Sequence, residues 1–232
     1  MGAIYVNNYE WPAALQEYRT ALALKPDYPT AHQWCGDLLL RLGKLREAQA
    51  EYDRAMELDP ASSIIKVGRA AVLVHARDYE GALAQYKRVL EVDPEFNPVH
   101  GSLAGLYARQ GKYAEALAEV DKIPQLSDVG LLWWRAWIYA LSGRRAESLE
   151  LTRGLEDRSR REYVSHLGIG ILWMALNNKD RAFAQFMKAC EVRDAVVAPA
   201  FIAVASVKVD PLFDAARADP RFQDLLRCMH LE

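Results

Sequence analysis

Cysteine is scarce in this sequence, and Cys35, Cys190 and Cys228 are scattered with no C-x-x-C pair among them. An odd, dispersed set excludes a dense disulfide framework and reads as reduced, packed thiols in a cytoplasmic protein. Long apolar runs are also missing. Nothing approaches the roughly 20 residues that a membrane span requires. Charge of one sign is lacking too: 29 Lys and Arg face 31 Asp and Glu, for a net charge of −2. That balance argues against nucleic acid, which binds through concentrated cations that displace counterions. Residues 1–10 have neither a basic segment nor an apolar one, so no signal peptide is read there. Apolar content, by contrast, is ample. At 51% of 232 residues it can build a continuous core.

Chemistry-bearing constellations are equally thin. No Ser-His-Asp set and no paired carboxylates can be argued from spacing. Gly168 and Gly170 form a lone G-x-G inside a helical pattern, whereas a phosphate loop would follow a strand. Cys35 falls on a core position without an activating neighbour. His32, His100 and His166 recur at one phase, but on alternate repeats. Packed helices lie about 8–10 Å apart, whereas zinc ligands lie within about 2.0–2.3 Å of the ion. These are read as half-buried imidazoles. The expectation is a protein with no enzymatic activity, no metal and no cofactor.

What the chain does have is a period. The phrases GKLREAQAEY, RDYEGALAQY and GKYAEALAEV recur 34 residues apart and place Ala48, Ala82 and Ala116 in one phase. The series reaches back to Ala14 and forward to Ser148 and Ala182, with one step of 32 residues between Ala116 and Ser148. Tyr18, Tyr52, Tyr86 and Phe186 follow four residues later, and Ala21, Ala55 and Ala189 three beyond those. Small, aromatic, small at i, i+4 and i+7 form one helical stripe that lets a neighbouring backbone come close. Pro26, Pro60 and Pro94 end the unit, since proline cannot continue a helix and restricts the residue before it. Upstream, Gly36 with Leu39, Ala70 with Leu73, Ala104 with Tyr107, Ala136 with Tyr139 and Gly170 with Trp173 mark a second helix. Each unit is thus helix A, a turn and helix B. One such hairpin cannot bury its own apolar stripe, and stacking completes the core.

These residues resemble the tetratricopeptide-repeat family, with small residues at unit positions 8, 20 and 27, aromatics at 11 and 24, and proline at 32. The resemblance covers residues 2 to about 194. It departs at position 4, where the family favours Trp and this chain has His32, Lys66, His100, Leu132 and His166. The fold so implied is all-α: a right-handed solenoid of antiparallel helix hairpins over residues 1–194, closed by capping helices over 195–232.

Three places are irregular. Gly2 already stands at position 8, so the first unit lacks half of helix A. The chain therefore reads as part of a larger polypeptide, with Ile4, Tyr5 and Trp11 beside an open end suited to a weak homodimer. Pro124 predicts that helix B of the fourth unit stops about one turn early, putting an irregular step near residues 121–130. In the tail, Asp210-Pro211 and Asp219-Pro220 pair an N-cap carboxylate with proline at a helix start. Phe222, Leu225, Leu226 and Met229 then give an apolar stripe that covers the last repeat. The segments GILWMALNNKDRAFAQF and DPLFDAARADPRFQDLL resemble the closing section of bacterial arrays joined to winged-helix regulators, nucleotide cyclases or Ser/Thr kinases. That resemblance implies the regulatory or docking part of a signalling protein.

With positions 4, 7, 8 and 11 facing helix B, positions 2, 5, 9 and 12 line the concave surface. The expected partner-binding residues are Gln33, Asp37, Val67, Ala71, Val74, Gly101, Gly105, Trp133, Trp137 and Ile171. The Lys/Asn/Arg clamp that the family uses for acidic C-termini does not occur, so an apolar or aromatic protein or peptide ligand is favoured, or another domain of the parent chain. Trp133 and Trp137 admit two readings, as anchors for a partner or as fillers of the space left by the short repeat. Gly101 and Gly105 likewise allow a close approach to a ligand or to a neighbouring helix.

Overall fold

The computed structural model describes residues 9–123, 126–194 and 207–232. Gly2, Ile4, Tyr5 and Pro124, on which two of the irregularities rest, lie outside these residues, as does the tail from 195 to 206. Among the described residues every regular element is helical. The helices are α1 (Trp11–Leu24), α2 (Pro29–Arg41), α3 (Leu45–Leu58), α4 (Ser63–His75), α5 (Tyr79–Val92), α6 (Pro98–Arg109) and α7 (Tyr113–Val120). They continue with α8 (Asp128–Leu141), α9 (Arg145–Arg158), α10 (His166–Ala175) and α11 (Lys179–Glu191), then a 3-10 turn (Pro211–Phe213), α12 (Asp214–Arg217) and α13 (Arg221–Cys228). No helix among the described residues is long and apolar enough to cross a membrane.

The turn between helix A and helix B is the same in each unit. Gly43, Arg77, Gly111, Gly143 and Asn177 all fall at unit position 15 and all have positive φ, from 56° at Asn177 to 81° at Gly143. This left-handed residue lets the next amide reach back over the helix end: Lys44 N–H donates to Leu39 O at 2.9 Å and Asn178 N–H to Trp173 O at 2.8 Å. Helix B ends for the other reason. Lys25, Asp59 and Asp93 each precede proline and adopt φ of −141°, −137° and −135°.

The chain divides into two compact units. The first runs to Val99 and takes in residues 207–211 and Leu231; the second holds the remainder from His100. In the first unit Cys35, Leu39, Leu40, Ala48, Tyr52, Ala55, Ile65 and Val72 form one buried cluster, with Leu15, Tyr18 and Leu22 of α1 packed against it. Tyr52 explains why small residues accompany the aromatic. A Cβ on Gly36 would stand 3.1 Å from its ring, and one on Gly68 of the next hairpin 2.8 Å from its Cζ. The ring is wedged between two hairpins and fixes their spacing. Tyr9 stacks on buried Trp11, with ring centroids 5.5 Å apart.

In the second unit Trp134, Ile138, Leu155, Leu167, Ile169, Phe186 and Phe213 are wholly buried. Ser148 occupies the place of the repeated alanine, and its hydroxyl donates to Ala136 O at 2.8 Å, so the buried oxygen is satisfied. Helix α7 has eight residues where α3 and α5 have 14. Beyond the array, α13 packs on α11. Arg221 lies over the Phe183 ring at 4.6 Å and donates to Asp180 at 2.8 Å.

One expectation is corrected here. Cys190 and Cys228, read from sequence as separate reduced thiols, are joined in a disulfide across a separation of 38 residues. Each sits in the last turn of its helix, and the packing of α13 on α11 brings those turns together. Cys35 remains a free, buried thiol, pushed up to about 12 by burial and by nearby Glu51.

Candidate partner-binding surface

Binding by a helical hairpin needs side chains on the face of helix A turned away from helix B. In the first unit Gln33, Asp37 and Arg41 of α2 follow one another at i, i+4 and i+8 and share one stripe of the helix, which at Asp37 still touches Tyr52 of helix B. All three are half-buried. The Tyr52 hydroxyl donates to the Asp37 carboxylate, with Arg41 close enough to interact with both. Burial raises the Asp37 carboxyl above the usual range, although Tyr52, Arg41 and Gln33 each pull it down. Burial likewise lowers Arg41 and raises Tyr52. Polar groups held this way are preorganised donors and acceptors rather than a solvated surface.

The corresponding face of α4 is apolar. Val67 and Val74 are buried, and Ala71 is half-buried. Next along this face comes His75, with 8% exposure. Its Nδ1 lies 2.8 Å from Ala71 O, and its Nε2 3.4 Å from the carboxylate of Asp210 in the tail. His75 and Arg41 share unit position 13, one helical turn beyond position 9, and sequence reasoning stopped at position 12. The i, i+4 continuation of the stripe was the signal that would have found them. Trp34, outside the expected positions, is 46% exposed, its ring tilted against that of Tyr18 with centroids 6.3 Å apart.

The candidates in the second unit are buried. Gly101 and Gly105 lie in α6; a Cβ on Gly105 would meet Arg109 at 3.1 Å and Trp134 at 3.6 Å, so the glycine admits neighbouring side chains closely. Arg109 donates to Gly105 O at 3.0 Å and lies over the Trp137 ring at 5.5 Å. Trp133 and Trp137 stack with centroids 5.8 Å apart and are 3% and 2% exposed. Trp133 Nε1 donates to Gly168 O of α10 at 2.9 Å, tying two neighbouring A helices together. Neither indole offers an open edge to a partner. Ile171 is buried as well.

The imidazoles at position 4 have a structural part to play. His32 pairs with Glu51 at 2.6 Å, His100 with Glu119 at 2.7 Å and His166 with Gln185 at 2.8 Å, each 19 residues on. A polar link from helix A to helix B thus stands where the family usually places tryptophan. Asp194, at 4% exposure, accepts hydrogen bonds from Leu167 N at 3.1 Å, Ser165 Oγ at 3.0 Å and Tyr163 OH at 2.7 Å, closing the start of α10. Among the described residues no group of three or more His, Cys, Asp or Glu could hold a metal ion.

Stacked A/B hairpins with a periodic small/aromatic seam define a helical-repeat scaffold. Family models described as TPR repeat or tetratricopeptide repeat match residues 2–43, 35–95 and 73–136, together more than half of the chain. The chain belongs to the tetratricopeptide-repeat family. No curated protein matches it in sequence. Among solved structures, it is similar to a tetratricopeptide repeat protein from Parabacteroides merdae, with 20% identity and a TM-score of 0.56 over 99% of this chain and 96% of that one. It is also similar to PilW, a widely conserved type IV pilus biogenesis factor, with 17% identity and a TM-score of 0.59 over 85% and 92%. Cut9–Hcn1 of an APC/C hetero-tetramer gives 13% identity and a TM-score of 0.61 over 98% of this chain and 48% of that one. At these identities the likeness shows the fold.

Proposed function

We propose that the chain is a non-enzymatic protein-interaction module that docks a peptide or a neighbouring domain of its parent polypeptide. The observation that carries this is the pair of adjacent faces in the first unit. Gln33, Asp37 and Arg41 supply fixed polar groups on α2, and Val67, Ala71 and Val74 supply an apolar strip on α4. A polar rail beside an apolar one suits a segment that offers backbone groups on one side and small side chains on the other. The tail's resemblance to bacterial regulatory arrays supports a place in a larger signalling protein, where the module senses or docks.

The test is a calorimetric titration of the flanking domains of the parent polypeptide into this chain and into an Asp37→Arg, Ala71→Arg variant. Binding that the double substitution abolishes supports the reading. No binding, or binding that it leaves unchanged, refutes it.

A further inference from the structure

The first unit already holds an occupant on part of this face. Asp210 is 1% exposed, and its carboxylate meets His75, whose side chain is itself 6% exposed. A buried carboxylate is costly unless it is partnered, so this contact selects for an acid. The imidazole is held at both ends: Nδ1 lies 2.8 Å from Ala71 O, and Nε2 lies 3.4 Å from the Asp210 carboxylate. In α2 the residue one turn before the position-13 cation is Asp37, which interacts with Arg41 within the helix. In α4 that place is taken by Ala71. The acid for His75 therefore comes from outside the helix, and the tail supplies it. Val207, at 2% exposure, belongs to the same unit, as do the buried Val67 and Val74.

We propose that residues 207–210 are a built-in occupant of the α4 face, and that a partner binds by displacing them with a short segment of the same chemistry: an aspartate carboxylate before proline, beside a β-branched side chain. This rests on the interaction-module reading and adds to it a partner class and a mode of regulation. The tail lowers the apparent affinity of any competitor by the fraction of molecules in which the face is vacant.

A fluorescein-labelled peptide of residues 207–213, VKVDPLF, titrated into the full chain tests this by anisotropy. Asp210→Ala, which removes the internal anchor, is expected to bind the peptide at least about tenfold tighter than the unsubstituted chain. Adding His75→Gln should erase that gain, and a peptide with Asn in place of Asp should show none. A second readout covers the case in which Asp210→Ala fails to fold: saturating peptide should speed amide hydrogen exchange at residues 207–211 of the unsubstituted chain. Equal affinity for the chain and its Asp210→Ala variant, a gain that survives His75→Gln, unchanged exchange, or no binding to any form would each overturn the proposal. If any of these occurs while a flanking domain still binds, self-occupancy alone is refuted.

Discussion

The seam between helices makes a sharp demand on Gly170, and alanine there should separate packing from helix propensity. An alanine Cβ would fall inside the contact distance of the Phe186 ring and 3.1 Å from Ala182 O. The ring has no space to retreat into. Phe186 is 0% exposed and is held edge-on by Phe183 and tilted against Phe213, each with centroids 5.7 Å away. Overpacking of a rigid core costs about 1–3 kcal/mol. Glycine to alanine inside a helix returns roughly 1 kcal/mol. With backbone on one side and a trapped ring on the other, the cost falls in the upper part of that range, and Gly170→Ala should destabilise by about 1–2 kcal/mol net. Gly154 is the internal control, because it is exposed in α9 and a Cβ there meets nothing within 4 Å. Gly154→Ala should stabilise by about 0.5–1 kcal/mol. Urea denaturation followed by circular dichroism reads both, as opposite shifts of midpoint at unchanged slope. Shifts of the same sign would refute the wedge argument.

Further outcomes rest on particular contacts. Asp194→Ala leaves Leu167 N, Ser165 and Tyr163 without their acceptor and should cost about 1–3 kcal/mol in the same denaturation assay; a change near zero would show that water replaces it. Mass spectrometry of the unreduced protein should find a peptide linking Cys190 with Cys228, and Cys35, with its thiol pushed to about 12, should resist alkylation at pH 8 until urea is added. On the chain-entropy account, closing 38 residues stabilises by about 4 kcal/mol, so reduction should lower the urea midpoint. Asp219 is hydrogen-bonded by Arg221, which holds its carboxyl down at about 2. Its pKa is depressed in the folded state, so its contribution to stability is complete above the ordinary aspartate range and is lost as pH falls through about 2. An NMR titration of its carboxyl carbon with a midpoint near the unperturbed value would contradict that pairing.

The parts of this molecule that repeat were legible in its sequence, and the parts that do not repeat were not. Ala48, Ala82, Ala116 and Ala182, with Tyr52, Tyr86 and Phe186, lie in helix B, and the prolines stand where helix B stops, because packing one hairpin on the next imposes the same steric demand each time. The interaction face was read by phase, which assigns a side chain to a side of its helix but is silent on what else lies there. Trp133 and Trp137 are closed off by Gly168 and Arg109 of neighbouring helices. Asp210 reaches His75 from far along the chain, and Cys190 reaches Cys228, through packing of a tail that shares no period with the array. The imidazoles at position 4 looked like a departure from the family, and their partners 19 residues on become visible only when the two helices are set side by side.

Hydrogen exchange on the chain saturated with a protein or peptide ligand tests the central claim most directly. Protection should appear in α2 around Gln33 to Arg41 and in α4 around Val67 to His75, with the outer faces of α3 and α5 unchanged. Protection confined to α3 and α5 would place the partner on the opposite side of the hairpins and contradict the account.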